Sequence, residues 1–264
     1  MRKDLFESTA YYYARYRPGY PKRFFKYVVQ EFKLDKGGRM LDLGCGTGQL
    51  SVPLAPYFKE VIAMDPDAAM LKEGKQIAQK AGVRNIKWVK GSSEDLKISM
   101  GKFQLVVMGR SFHWMNQKKT LAMLYKILEP GGGVVIVSER RKDTTWTPKS
   151  RWRYAALGVI KKYLGEHRRA GKGYFKVSEK HFEDFIHESP FKTFRVYKQR
   201  IRNVWDLKGI IGYFYSMSFS SKALLGKHAP AFEKDLKAAF RKAIPSEKFS
   251  ENTDLEALIA KKQL

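Results

Sequence analysis

Gly44, Gly46 and Gly48 stand at every second position of Met40-Leu-Asp-Leu-Gly-Cys-Gly-Thr-Gly-Gln49, directly after an apolar run the length of a strand. Without Cβ atoms at these positions the backbone can bend sharply and come close to a ligand. Amides of such a turn, opening a helix, suit an anionic group because the helix dipole favours negative charge there. The spacing is GxGxG, whereas the dinucleotide fingerprint requires GxGxxG, and Gln49 occupies the place of its third glycine. A nicotinamide cofactor is therefore the weaker guest. The next apolar run, Val61-Ile-Ala-Met64, ends in Asp65, whose two carboxylate oxygens are placed to accept from the two hydroxyls of a ribose. Asp42, just before the glycines, either meets an ammonium group of the ligand or fixes the turn. Cys45 is the single cysteine; it reads as a small residue filling the turn and suits a reducing compartment.

These residues need a scaffold that brings distant segments together. Strand-sized apolar runs at 40–43, 61–64, 86–90, 103–108 and 134–137 alternate with helical patterns over 47–57, 68–80 and 117–128. Phe24, Phe25, Val28, Val29 and Phe32 give an amphipathic helix from Pro21 to Phe32. The alternation predicts a parallel sheet with helical crossovers, whose ligands sit at the carboxyl ends of the strands. The glycine turn, Asp65, Ser93-Glu94 and Arg110–Trp114 all fall there. Beyond residue 140 the patterns predict helices near 150–164 and 178–188, a strand over 194–201, helices over 206–215 and 229–243, and a last strand over 255–260.

This order resembles the class I S-adenosylmethionine-dependent methyltransferases over residues 40–139, on the glycine motif, Asp65, Gly91-Ser-Ser-Glu94 and Leu128-Glu-Pro-Gly-Gly132. Phe6, Ala10, Tyr13, Arg17-Pro-Gly-Tyr-Pro21 and Ser111-Phe-His-Trp114 are similar to the type 11 branch, which includes trans-aconitate methyltransferase-like enzymes of small molecules. The resemblance implies an α/β, Rossmann-like seven-stranded sheet, mostly parallel with an antiparallel last strand and helices on both faces. It implies one domain over 1–264: a lid and helix (1–39), a cofactor core (40–139), a basic insertion rimming the substrate (140–202), and C-terminal helices with the last strand (203–264).

The implied cofactor is S-adenosyl-L-methionine, with S-adenosyl-L-homocysteine as product. Its expected contacts are Tyr13 and Arg17 from the lid, and Asp42, Gly44, Cys45, Gly46, Thr47, Gly48 and Gln49 around the turn. Asp65 and Pro66 follow strand two, Met70 packs on the adenine face, Ser92, Ser93 and Glu94 meet its edge, and Arg110 follows strand four. Trp114, Trp146 and Trp152 are expected at the substrate. Methyl transfer needs alignment and exclusion of water more than elaborate groups. His113 is the catalytic expectation, as a base toward a hydroxyl or amine, with a positioning role as its alternative. The plainer alternatives are a capping Asp65, a Ser92–Glu94 segment that only ends strand three, and a Met70 that is ordinary core.

A net charge of +25 in 264 residues is concentrated in residues 139–202, where 18 basic residues face 7 acidic ones. An anionic small substrate explains that excess, and so does a solvated basic face. RNA is the second substrate reading, since basic residues interleaved with Trp and Tyr bind phosphates and stack bases. A third reading is a cofactor-binding partner or sensor without turnover. No run has the length of a membrane span and no His/Cys/Asp/Glu cluster suggests a metal, so the expectation is a cytoplasmic protein, monomeric by default.

Overall fold

The computed structural model describes residue 6 and residues 8–140, 144–170, 173–174 and 180–263. Strands β1 (Arg39–Leu43), β2 (Glu60–Asp65), β3 (Ile86–Lys90), β4 (Phe103–Gly109) and β5 (Leu128–Arg140) pair in parallel. A two-residue pair, β6 (Arg169–Ala170) with β7 (Gly173–Tyr174), lies apart from the sheet. Then β8 (Arg195–Trp205) forms an edge, and β9 (Phe249–Lys261) inserts antiparallel between it and β5. The order β3-β2-β1-β4-β5-β9-β8 is the expected seven-stranded sheet with its antiparallel last strand. A helix before the sheet, α1 (Ala10–Tyr16), precedes α2 (Lys22–Glu31), which buries Phe24 and Val28.

The crossovers are helices because their apolar residues recur every three to four positions. α3 (Ser51–Leu54) is the exception to the predicted length. A helix over 47–57 breaks into α3 and a 3-10 turn at Ala55–Tyr57, since Pro56 lacks an N–H and its ring would meet the carbonyl four residues back. α4 (Ala68–Lys80) matches its prediction residue for residue, and α5 (Gln117–Ile127) ends one residue early. The Leu128–Gly132 turn is absorbed as a bulge within β5, where Phe103 pairs with Leu128 but Leu105 with Gly133. Gly131 takes a positive φ of 74°, and a Cβ on Gly132 would stand 2.7 Å from the Gln104 carbonyl.

Two apolar clusters cover the faces of the sheet, one around Leu121, Leu124 and Phe103, the other around Phe24, Leu54 and Val135. A third, aromatic cluster packs against the Trp205–Phe249 end of β8 and β9. It joins α6 (Arg151–Leu164), α8 (Leu207–Tyr215), α9 (Lys222–Leu225) and α10 (Ala229–Ala243), so the basic insertion and the C-terminal helices share one core. The helix expected near 178–188 is α7 (Phe182–His187); residues 178–179 lie outside the described residues. β8 and β9 run beyond their predicted bounds because they pair with each other as far as Trp205 and Phe249, with Asn203, Trp205, Phe249, Glu251 and Thr253 buried in the extension. Among the described residues no helix is long and apolar enough to cross a membrane.

Candidate active site

The glycine turn adopts backbone angles only glycine takes without strain. Gly44, Gly46 and Gly48 have φ of 72°, 54° and 83°. A Cβ on Gly44 would come within 2.5 Å of the Ser111 Cβ, and one on Gly48 within 2.7 Å of the Trp88 ring, so both hold packed elements close. Gly46 faces the Tyr13 ring. The amides of Gly44 and Cys45 donate to the Met64 carbonyl, that of Gly48 to the Cys45 carbonyl and that of Gly46 to Asp65. Four of the five amides from Gly44 to Gly48 are thus already used within the chain, so the glycines bring the backbone close rather than offer a ring of donors.

Asp65 ends β2 with its carboxylate accepting from the amides of Gly46 (2.8 Å) and Asp67 (2.9 Å). The helix cap belongs instead to Asp67, which accepts from Ala69 and Met70. Burial lifts the Asp65 pKa to about 6, because the charged form has lost most of its water. Asp42 is buried further, accepts from the Ser51 hydroxyl at 2.5 Å, and is pushed by desolvation to about 7. Among the described residues neither carboxylate is shifted by a neighbouring cation, a local environment that favours a cationic or hydroxyl-rich ligand. Thr47 is buried, and its Oγ1 has no hydrogen-bond partner among the described residues. A bare glycine cradle, an orphaned hydroxyl and a desolvated acid at the end of β2 fit an S-adenosylmethionine-type ligand. Desolvation raises the pKa of the Cys45 thiol, which donates to the Gly46 carbonyl and packs with Ala63 and Leu71, so it is an inert filler.

Gly44, Gly46, Asp65, Met70 and Ser111 line a narrow cleft of about 30 Å³, closed by Phe6, Tyr13 and Trp114. Phe6 meets Tyr13 and Trp114 edge to face, with centroids 6.4 and 6.1 Å apart. The segment of α1 and the following Arg17 is fastened on two sides. Arg15 pairs with Glu73 of α4 at 2.9 Å, and Arg17 donates to the Ser216 carbonyl beyond α8 at 3.3 Å. Phe6, Tyr13, Arg110 and Trp114 also line a second cavity of about 410 Å³, so the two spaces share a wall.

That larger cavity is aromatic and basic. Phe112, Trp146, Phe182, Tyr213 and Phe219 contribute rings, and Arg17, Arg110, Arg153 and Arg168 contribute charge. Arg110 follows β4 in a left-handed conformation (φ 57°), lies over the Tyr20 ring, and pairs with Glu139 at the carboxyl end of β5. Arg153 pairs with Glu251 while donating to Thr145 at 3.2 Å. His113 is on the cavity wall, reached by solvent from the opening and crowded by protein behind. Desolvation, then the neighbouring Arg168 charge, lowers its pKa to about 4, so the ring is neutral at pH 7.

Of the residues expected at the cofactor, the cleft gathers Tyr13, Gly44, Gly46, Asp65, Met70 and Arg110. Cys45, Thr47, Gly48, Gln49 and Pro66 neighbour these residues in sequence but do not line the cleft. Arg17 lines the larger cavity and not the cleft. Ser93 and Glu94 lie in a 3-10 turn over Ser93–Asp95, closed by a reciprocal cap between Ser92 and Asp95, outside the cleft. Trp114 and Trp146 line the larger cavity. Trp152 does not: it is 3% exposed inside the aromatic cluster, edge-on to Phe214, Phe240 and Phe249. Glu139, Arg153, Arg168, Tyr213 and Phe219 were missed. The carboxyl-end rule for parallel sheets points to Glu139, whereas the others come together only through tertiary packing.

Comparison with known proteins agrees with this geometry. A family model described as "Methyltransferase domain" matches residues 40–132. The chain is 30% identical over 166 residues to the probable S-adenosylmethionine-dependent methyltransferase CRG1 of Saccharomyces cerevisiae, covering 61% of this chain and 55% of that protein. It is 31% identical over 144 residues to the ubiquinone/menaquinone biosynthesis C-methyltransferase UbiE of Coxiella burnetii, covering 51% and 58%. The matched stretches thus span little more than half the length of these relatives. A SAM-dependent methyltransferase from Thiobacillus denitrificans, solved in complex with S-adenosyl-L-homocysteine, shares the fold with a TM-score of 0.54 at 16% identity, over 97% of this chain and 98% of that one. Residues 40–132, which hold the glycine turn and the Asp65 strand end, thus match a methyltransferase domain, and the seven-stranded sheet is a fold shared with an S-adenosylmethionine-dependent methyltransferase.

Proposed function

We propose that the chain transfers the methyl group of S-adenosyl-L-methionine to an oxygen or nitrogen of a small, anionic or polar-aromatic molecule. The observation that carries this reading is the wall shared by the cleft at Asp65 and the larger basic, aromatic cavity. In this reading Asp65 holds the ribose, Met70 packs on the adenine, and Asp42 meets the ammonium group through the turn. When bound, the sulfonium supplies an electrophilic methyl group. Tyr13, Phe6 and Trp114 exclude water from the shared wall, and Arg110, fixed by Glu139, orients what lies between. His113 positions the acceptor as a neutral hydrogen-bonding ring; with a pKa near 4 it is a poor acceptor of protons at pH 7.

Tyr154 and Tyr174, 61% and 57% exposed within the basic segment, favour RNA as the second reading. The single unpaired cysteine suits the cytoplasm, and a monomer is the default state. Incubating the chain with methyl-labelled cofactor and fractionated cell extract tests all readings together. Label in small molecules supports the proposal, label in RNA selects the second reading, and cofactor binding without label transfer indicates a sensor.

A further inference from the structure

The wall of the larger cavity that the cofactor cleft does not share has a chemistry of its own. Trp146 stands edge-on to Phe219 at 6.0 Å, and the Arg168 guanidinium lies over the same Phe219 ring at 5.6 Å. The Trp146 Nε1 is closed to water and has no hydrogen-bond partner among the described residues. A buried donor left unsatisfied is costly, and such atoms on a cavity wall mark where a ligand's acceptor completes the network. The Arg168 charge reaches across to His113, whose pKa it helps to lower. The remaining walls are flat rings, including Phe112, Phe182 and Tyr213.

On the methyltransfer reading above, we propose that the substrate is a flat aromatic carboxylic acid, its carboxylate recognised at Trp146 and Arg168 and its methyl acceptor a second group on the same ring. Of the other cavity arginines, Arg110 is paired with Glu139, Arg153 with Glu251, and Arg17 donates to the Ser216 carbonyl, so one neutral N–H and one guanidinium stacked on an aromatic face match a planar, singly charged anion; a phosphate dianion calls for more donors. The carboxylate faces away from the shared wall, so the hydroxyl or amine at the far end of the ring is the group presented to the cofactor. Its lone pair forms the bond to the methyl carbon, the carbon–sulfur pair returns to sulfur, and its proton leaves to solvent. The product is an aryl ether or N-methyl amine that keeps its free acid.

The test uses the full chain loaded with S-adenosyl-L-homocysteine, titrated calorimetrically with 4-hydroxybenzoate, 4-aminobenzoate and the corresponding amides. The acids should bind about tenfold or more tightly than the amides, because a site built for an anion rejects its neutral analogue. Trp146→Phe, which keeps an aromatic ring and removes the N–H, should weaken the acids by about tenfold and the amides less, while leaving S-adenosyl-L-homocysteine unchanged. Arg168→Gln should do the same. With methyl-labelled cofactor, label should survive alkaline hydrolysis that cleaves esters. Equal binding of acid and amide by the wild-type chain, no binding of either, or label released as methanol overturns the proposal without any variant. A chain that takes up no S-adenosyl-L-homocysteine instead defeats the methyltransfer reading on which it rests.

Discussion

The Asp65 side of the shared wall and the Trp146 side are built in opposite ways. The cleft is centred on a backbone turn with left-handed Gly44 and Gly46 and on the end of β2, and is completed by Met70, by Phe6 and Tyr13 and by residues 109–114 after β4. The larger cavity is made of side chains from the leader, the ends of β4 and β5, the basic insertion and the segment after α8. A backbone cradle recognises one invariant ligand and tolerates little change. A side-chain cavity can alter its guest by exchanging rings and charges without disturbing the fold.

Trp152 tests where the second region ends. Trp152→Ala should lower stability by about 3–5 kcal/mol, the cost of a large cavity in a packed core. Denaturant unfolding measures this, and Trp152→Phe should retain wild-type affinity for any acceptor. A selective rise in the acceptor's Michaelis constant would move Trp152 back to the cavity.

The cleft is probed most sharply through Asp65. Asp65→Ala should weaken S-adenosyl-L-homocysteine by about 1.5–3 kcal/mol through loss of charge-assisted hydrogen bonds, as read by calorimetry. Because the carboxylate pKa is raised to about 6, wild-type affinity should fall as the pH drops through that value. Stability without ligand should run the other way. Asp42 (about 7) and Asp65 (about 6) keep protons in the folded chain that the unfolded chain, with carboxyls near 3.8, has released. The folded state is therefore favoured most below pH 4 by these two groups and loses that advantage as pH rises from about 4 to 7. Asp42→Asn, which can still accept from Ser51, should flatten the slope in thermal melts; an unaltered slope would place its origin elsewhere.

A smaller effect is expected at His113. His113→Ala should raise the acceptor's Michaelis constant by about tenfold with little change in turnover, and neither protein should show an ionisation near neutral pH. Turnover falling about a hundredfold or more, with loss of a neutral pH step, would make His113 a base after all. Smallest is Ser92→Ala, which should cost about 0.5–1 kcal/mol of stability as a lost cap and leave cofactor affinity unchanged. Weaker cofactor binding in that variant would return Ser92 to the adenine edge and enlarge the cleft at the expense of the contrast.

The contrast also explains what could be read in the chain. β1, β2, α4 and the glycine turn follow from contiguous patterns, because backbone angles and strand-sized apolar runs are local properties. The 47–57 helix failed locally too, at Pro56, where a missing N–H outweighed apolar spacing. Trp152 and Trp146 are alike as letters, six positions apart in the same aromatic, basic stretch. One is sealed by Phe214, Phe240 and Phe249 from α8, α10 and β9; the other reaches a cavity wall. Nothing between residues 146 and 152 records which of them the later helices will cover.

By itself the sequence determined the parallel sheet, the glycine turn and Asp65 at the end of β2, since each is dictated by residues within a few positions of it. Tertiary structure alone decided that Arg17 faces the larger cavity, that Glu139 holds Arg110, and that Arg168 and Trp146 meet over Phe219. Those contacts join residues up to about 200 positions apart, as when Arg17 reaches Ser216. Their geometry is set by how packed layers settle against one another, a property of the whole chain that no short window of it contains.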